Sequence, residues 1–482
     1  MQLIFEKSVA GRRGYQLPKS DVNVTSKIPS QYIRKTECQW PEVSELDVVR
    51  HFTRLSKLNY SVDANFYPLG SCTMKYNPKI SETVASIDGF ANLHPVLPQL
   101  DPDLVQGALQ VLYEMDQLLS EIAGMHCFTM QPLAGAHGEL TGVMLISAYH
   151  RAKGNKKKYI IVPDSAHGTN PASATIAGYD IVSVPTDKNG VLSLKDIEDK
   201  ITDELAGVML TAPNTLGIFN SDVDKISEAV HKVDGLMYYD GANLNAVLGR
   251  ARPGDLGFDI VHINLHKTFA TPHGGGGPGS GPVGVKKSLC EFLPISRVIK
   301  KKDDVYALDY DYSKSIGYVA AFYGNFSVIL KAYVYIMMLG KEGLKEVSDH
   351  AVLNANYIME SLKKYFDLPF DRTCMHECVF SASRQEKNGV HAIDIAKFLI
   401  DKGFHPPTIY FPLIVKEAIM IEPTETESKQ QIDEFIEVMI EAAKLAENNP
   451  EEFKNFPKTT SVCRPDEVKA ARDVACNYFL NK

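Results

Sequence analysis

The chain has no long hydrophobic run. None of its 482 residues falls in a stretch approaching the roughly 18 apolar residues of a membrane span. The opening MQLIFEKSVAGRRGYQL has too short an apolar segment for a signal peptide, so a cytoplasmic location is expected. Excess positive charge is also missing. A formal net charge of −8 gives a nucleic-acid role no support, and the basic run KGNKKKY (153–159) reads as a solvated turn before a strand. Cysteines are few and scattered, at 38, 72, 127, 290, 374, 378, 463 and 476, which argues against a disulfide framework. Cys374, His376 and Cys378 form the one cluster. No second CxxC or HxxxH supplies further ligands, and one straight strand cannot wrap a tetrahedral metal, so no metal site is expected.

What is present is an ordinary globular composition, 44% hydrophobic and 23% charged, with length for two or three domains. Residues 1–90 show no regular period and read as an arm that wraps another part of the structure or a partner. DLVQGALQVLYEMDQLLSEIAG (103–124) has helical spacing. KYIIVP, DIVSVP, AGVMLTAP, GLMYYDGA and DIVHINLH then follow as short β-rich runs. SLKDIEDKI and DVDKISEAVHKV lie among them as helices. This rhythm predicts an α/β fold with a mostly parallel sheet covered by helices, over 91–344. The stretch from 325 reads as two long helices broken at Gly340. Three strand-like runs and an amphipathic helix beyond it predict a smaller α/β domain over 345–482.

NLHKTFATPHGGGGPGSGPVGV (264–285) sets a lysine before a loop of glycines. It contains G-x-G-x-x-G, but Pro278 and Pro282 interrupt it and PVGV reads as a strand, so the dinucleotide fingerprint lacks its helix. A P-loop needs its lysine after the glycines. Four polar residues follow strand-like runs: His167, Asn214, Asp240 and Lys267. Open parallel sheets bind ligands at such carboxyl ends. A lysine amine can form a Schiff base with an aldehyde cofactor. Pyridoxal phosphate also needs an acid facing its ring nitrogen, for which Asp240 is the candidate, and a flat group on one face, for which His167 is. Its phosphate needs backbone N–H groups at a helix start. QPLAGAHGELTG offers these at Gly135, Ala136 and His137, and His266 and Thr268 beside the lysine could add donors.

At this point the sequence resembles the pyridoxal-phosphate-dependent glycine decarboxylases, the P-proteins of the glycine cleavage system. More narrowly, it resembles the second subunit of the split bacterial form. The stretches that carry the resemblance are YPLGSCTMKYNP, QPLAGAHGELTG, DSAHGTNPASA, APNTLGIF, YYDGANLNAVLG, the lysine–glycine stretch and IEPTETES. The resemblance implies the aspartate-aminotransferase-like fold, pyridoxal-phosphate fold type I. It implies pyridoxal 5'-phosphate held as an aldimine on Lys267, with Asp240 and Ala242 beside the ring, His167 stacked on it and Asn214 at its hydroxyl. It implies decarboxylation of glycine and transfer of the aminomethyl group to the lipoyl arm of the H-protein. It also implies a separate first subunit, two copies of each.

GSCTMKYNP and EPTETES argue against a fold-type-I decarboxylase or cysteine desulfurase of another kind. Retention of Lys267 and Asp240 argues against a scaffold without chemistry. Ser71, Thr73 and Lys75, beside Gly70, suit a substrate carboxylate. The arm's Trp40, Phe66, Tyr67 and Tyr76 are expected to expose apolar surface for a partner. The cysteines are expected to be dispensable for the cofactor chemistry.

Overall fold

A computed structural model describes residues 2–22, 28–474 and 478–481. The chain forms two compact units, Met1–Ser61 with Val462–Lys482, and Val62–Ser461. Within the first, Ser44 caps the helix Glu45–Ser56 by accepting from the Asp47 N–H, and Phe5 stacks on Tyr478 at 4.8 Å. Trp40 is exposed there.

The second unit is built on a seven-stranded sheet. Its strands are β1 (Cys127–Thr129), β2 (Tyr159–Pro163), β3 (Asp180–Val184), β4 (Leu205–Thr211), β5 (Leu236–Gly241), β6 (Ile260–Ile263) and β7 (Val283–Val285), in the order β1-β7-β6-β5-β4-β2-β3. All neighbours from β3 through β6 are parallel, and β7 runs antiparallel to both β6 and β1. Strand side chains alternate between faces. On β5, Met237 and Tyr239 join one core with Met115 and Leu119 of helix Gln106–Ala123 and Ile226 of helix Val223–Lys232. Leu236 and Tyr238 join the opposite core with Val143 and Ile146 of helix Gly135–Lys153. Both faces are thus covered, which is why these strands read as continuous apolar runs.

A hairpin of β8 (Arg297–Lys300) and β9 (Tyr306–Asp309) follows. The long helical stretch Phe326–Leu362 is interrupted at Gly340, whose φ of 59° and ψ of −170° are non-helical, at the predicted break. Its second half packs on a three-stranded antiparallel sheet of β10 (Cys378–Ser381), β11 (Thr408–Ile409) and β12 (Ala418–Ile421), with β12 central, and on helix Lys429–Asn448. Phenylalanines fill this separate core: Phe366, Phe380, Phe398 and Phe435.

Three expectations change here. Phe66 does not expose apolar surface. It is 3% exposed, wedged edge-on between Phe404 and Phe435, and Tyr67 stacks on His405 at 3.6 Å. Cys127 and Cys290 are joined by a disulfide across 163 residues, a pairing that scattered spacing could not signal. CMHEC is not one straight strand, since β10 begins only at Cys378; Cys374 and Cys378 are buried free thiols. Cys476 lies outside the described residues. No helix among the described residues is long and apolar enough to cross a membrane.

Candidate functional site

The register of the large sheet builds the site. Thr211 of β4 pairs with Asp240 of β5, and Asp240 pairs with His262 of β6. Residues in one row across a sheet point to one face, so these three side chains meet near the carboxyl ends of their strands. They line a cavity of about 220 Å³ with Ser71, Gly135, Ala136, Glu139, His167, Thr169, Thr215, Ala242, Asn243, Asn264, His266 and Lys267.

Asp240 is 3% exposed. Its Oδ1 accepts from the Ala242 N–H at 3.0 Å, and Oδ2 accepts from Asn170 Nδ2 and Thr211 Oγ1, each at 3.3 Å. Burial opposes ionisation, yet the His262 ring, the Ala242 N–H and the Lys267 ammonium outweigh it and hold Asp240 below its usual range. Burial draws His262 itself down, and its Nδ1 bonds the Tyr238 hydroxyl at 2.6 Å. Glu139, one helical turn in from Gly135, shows the opposite behaviour: burial, then the charge of Asp240, pushes it up to about 8. Two carboxyl groups in one pocket are thus split into an ionised acid and a protonated one.

Lys267 does not sit on a strand. β6 ends at Ile263, and Leu265–Thr268 forms a single helical turn that projects the lysine into the cavity. Its Nζ donates to the Ser71 carbonyl at 2.8 Å. Opposite, helix Gly135–Lys153 starts with no side-chain cap, which leaves its first N–H groups for a ligand. A Cβ on Gly135 would lie 2.7 Å from Asn264 Nδ2, so the close approach of the two requires glycine. The glycine loop closes this end of the site: a Cβ on Gly281 would lie 2.1 Å from the Ala134 carbonyl, whereas Gly275 and Gly276 turn through positive φ in the open.

The structure brings Gly135, Ala136, His167, Asp240, Ala242, His266 and Lys267 together, with Ser71. The His167 ring stands at the mouth, its Nδ1 bonded to Thr169 Oγ1 at 3.0 Å. Burial draws His266 down to about 3, so it is a neutral ring. Five anticipated residues are not among those lining the cavity. Asn214 folds onto its own turn, donating to the Gly190 carbonyl at 2.6 Å and accepting from the N–H groups of Leu216 and Ile218, which corrects its placement at the cofactor ring. His137 accepts from the Leu133 N–H at 3.2 Å instead of facing the cavity. Thr73 donates to Glu422 at 2.6 Å. Lys75, fully buried, pairs with Glu425 at 2.6 Å and also donates to the Thr268 carbonyl and the Tyr335 hydroxyl, so its ammonium has nothing left for a substrate carboxylate. Thr268 is buried beside the cavity with its hydroxyl unpartnered.

Sequence reasoning missed Glu139, Thr169, Thr211, Thr215, His262 and Asn264. The alternation of β6 would have found His262, the one polar side chain inside an apolar strand. A lone glutamate one turn into an otherwise apolar helix was the signal for Glu139.

Known proteins were then compared with this geometry. The family described as the glycine cleavage system P-protein matches residues 18–307, and that described as the glycine dehydrogenase C-terminal domain matches 347–460. The chain is 57% identical over 480 residues to a probable glycine dehydrogenase (decarboxylating) subunit 2 of Bacillus licheniformis, covering 99% of this chain and 98% of that protein. The same name belongs to a relative from Caldanaerobacter subterraneus subsp. tengcongensis, 56% identical over 475 residues, 98% of this chain and 97% of that one. The chain belongs to the glycine cleavage system P-protein family. Among solved structures, a glycine decarboxylase (P-protein) in inhibitor-bound form aligns with a TM-score of 0.71 at 20% identity, covering 86% of this chain and 93% of that one. A glutamate decarboxylase from Lactobacillus brevis aligns at 0.65 and 13% identity, covering 90% and 96%. The fold is pyridoxal-phosphate fold type I. The donor set of this P-protein family member fits that cofactor: an amine, an ionised acid behind it, an uncapped helix start across the cavity, and unpartnered buried oxygens on Asn170 and Asn264.

Proposed function

We propose that this chain is the lysine-bearing subunit of a glycine decarboxylase. It would take glycine, release carbon dioxide and pass the aminomethyl group to the lipoyl arm of an H-protein. The observation that carries the reading is the convergence of Lys267 and Asp240 on one cavity faced by an uncapped helix start. Lys267 would hold pyridoxal phosphate covalently, Asp240 would face its ring nitrogen, His167 its ring face, and the N–H groups at Gly135 and Ala136 its phosphate. When bound, the cofactor supplies a sink for the electron pair that glycine keeps on losing carbon dioxide.

The chain's own groups do the rest. Asp240, held ionised, keeps a proton on the atom it faces. Glu139, carrying its own proton, adds no second negative charge beside it. The Ser71 carbonyl holds the Lys267 amine at the cavity edge. Burial of the strand ends excludes water and strengthens each of these charges.

A separate first subunit belongs to the same proposal, with two copies of each; the designation "subunit 2" of the relatives supports the separate partner. The same proposal divides the chain into a cofactor part (91–344) and a C-terminal part (345–482); the second hydrophobic core supports the latter from Ala355 to Phe456, whereas Val462–Lys482 forms a unit with Met1–Ser61. The deciding experiment is glycine–bicarbonate exchange by the purified chain, with and without a first subunit and lipoylated H-protein. Exchange that needs all three, from a yellow protein, supports the reading. No exchange in any combination overturns it.

A further inference from the structure

The segment 70–77 runs across the turn that carries Lys267 and is tied down on both sides. Toward the lysine turn, the Ser71 carbonyl accepts from Lys267 Nζ at 2.8 Å, Lys75 Nζ donates to the Thr268 carbonyl at 2.7 Å, and Asn77 Nδ2 donates to the Ala270 carbonyl at 2.9 Å. On the other side, three glutamates take alternate residues. The Ser71 N–H donates to Glu377 Oε2 at 2.8 Å, Thr73 Oγ1 to Glu422 Oε1 at 2.6 Å, and Lys75 Nζ to Glu425 Oε1 at 2.6 Å. Ser71 sits at φ 65°, a left-handed conformation that is unfavourable for a non-glycine residue and persists only where its surroundings impose it. One residue thus donates its N–H to a buried glutamate and presents its carbonyl to the Lys267 amine.

Glu377 and Glu422 are 0% and 1% exposed, a costly place for two acids. Burial drives both upward, Glu422 to about 7. With His376 their donor atoms gather within 4.8 Å, and Glu377 Oε1, Glu422 Oε2 and both His376 nitrogens have no hydrogen-bond partner. A cluster kept only for packing would be replaced by apolar side chains at no loss. What sets Glu377 apart is its one bond, to the residue that touches Lys267.

We infer that Glu377 is a positioning residue for Lys267: by holding the Ser71 N–H it fixes the left-handed residue whose carbonyl sets where the Lys267 amine stands. The inference rests on Lys267 being the amine that takes the cofactor. Glu377 does not line the cavity, and its hydrogen bond reaches Lys267 through Ser71. Its requirement is for a hydrogen-bond acceptor at the length of a glutamate and not for a negative charge.

The test uses the full chain, freed of cofactor, with Glu377→Gln, Glu377→Asp and Glu377→Ala. Glutamine keeps an acceptor at the same reach, aspartate keeps the charge but is one methylene too short, and alanine keeps neither. The readouts are the rate at which added pyridoxal phosphate generates its visible band, the site of the borohydride-reduced adduct by mass spectrometry, and the melting temperature. Misplacing a reacting group by about 1 Å costs on the order of 10²-fold. Glu377→Gln should attach cofactor within about threefold of the parent, and Glu377→Asp more slowly by about tenfold or more. Glu377→Ala should be at least as slow if it folds. Glutamine slower than aspartate would overturn the inference, because charge would then be what matters. Equal rates in glutamine, aspartate and parent, whatever the melting temperatures, would overturn it too. An adduct on another lysine would sink the reading of Lys267 itself, a result distinct from an unchanged rate at Lys267.

Discussion

The rim of the large sheet and the segment 70–77 both face Lys267, but they are held by different physics. The rim is positioned by register. Thr211, Asp240 and His262 meet because three strands pair in one row, and helix Gly135–Lys153 lies over them because its apolar face needs the sheet. The segment 70–77 has no regular structure of its own and follows a single bridge from Leu69 to Ile421. It is positioned by groups some 200 to 350 residues away in sequence: the side chains of Lys267, Glu377, Glu422 and Glu425 and the Thr268 carbonyl. Polar residues of similar kinds therefore do opposite work. On the rim they face the cavity. In the segment, Thr73 and Lys75 turn away from it and serve as anchors.

The sharpest way to break the comparison is at the rim. Lys267→Ala should abolish the visible band of the cofactor-loaded protein and all glycine-dependent exchange, while circular dichroism stays that of the parent. A borohydride-reducible adduct surviving on the mutant protein would place the amine elsewhere. Asp240→Asn comes next. It keeps the hydrogen-bonding shape but not the charge that His262 and Lys267 stabilise. Loss of one positioned electrostatic partner typically costs about 3–4 kcal/mol, or roughly 10²–10³ in rate. The cofactor should still bind. A rate loss under about threefold would reduce Asp240 to the cap of its own loop.

The same contrast explains what the sequence disclosed. The strand–helix rhythm, the break at Gly340 and the amphipathic helix at 429–448 follow local periods, and periods are written in consecutive residues. Asp240 and Lys267 stood out because each follows an apolar run that ends in a conspicuous polar residue. The antiparallel course of β7, the Cys127–Cys290 bridge and the burial of Phe66 depend on pairings that no local pattern encodes. Lys75 was misplaced for the same reason. A lysine beside glycine, serine and threonine looks like an anion site until its partner Glu425, 350 residues on, is known. The family resemblance identified the motifs but did not say which way their side chains point.

Lys75→Met tests the segment. The side chain of Lys75 is 0% exposed and that of Glu425 is 9% exposed, so methionine keeps much of the volume but strands a buried carboxylate. Breaking such a pair costs about 3–5 kcal/mol. The expected outcome is a large fall in the denaturant midpoint, with cofactor attachment and turnover slowed together as the segment loosens. Lys75→Met with Glu425→Gln should recover much of the stability, since no uncompensated charge remains. A glycine KM raised selectively, with stability intact, would return Lys75 to the substrate and erase the difference between the two regions.

The smallest effect is expected at Asn214, which lies at the rim in sequence but behaves like the segment in structure. Its side chain donates to the Gly190 carbonyl and accepts from two backbone N–H groups, so it holds the turn after β4. Its neighbour Thr215, which does line the cavity, is anchored independently through the Ser165 carbonyl at 2.5 Å. Asn214→Ala should therefore cost about 1–3 kcal/mol in unfolding free energy, the price of backbone groups left unpaired in a half-buried turn. The position of the bound cofactor's visible band should not change, because nothing touching the cavity has moved. If the band shifts while stability holds, Asn214 reaches the cofactor ring after all, and the boundary drawn here between the two regions has been set one residue too early.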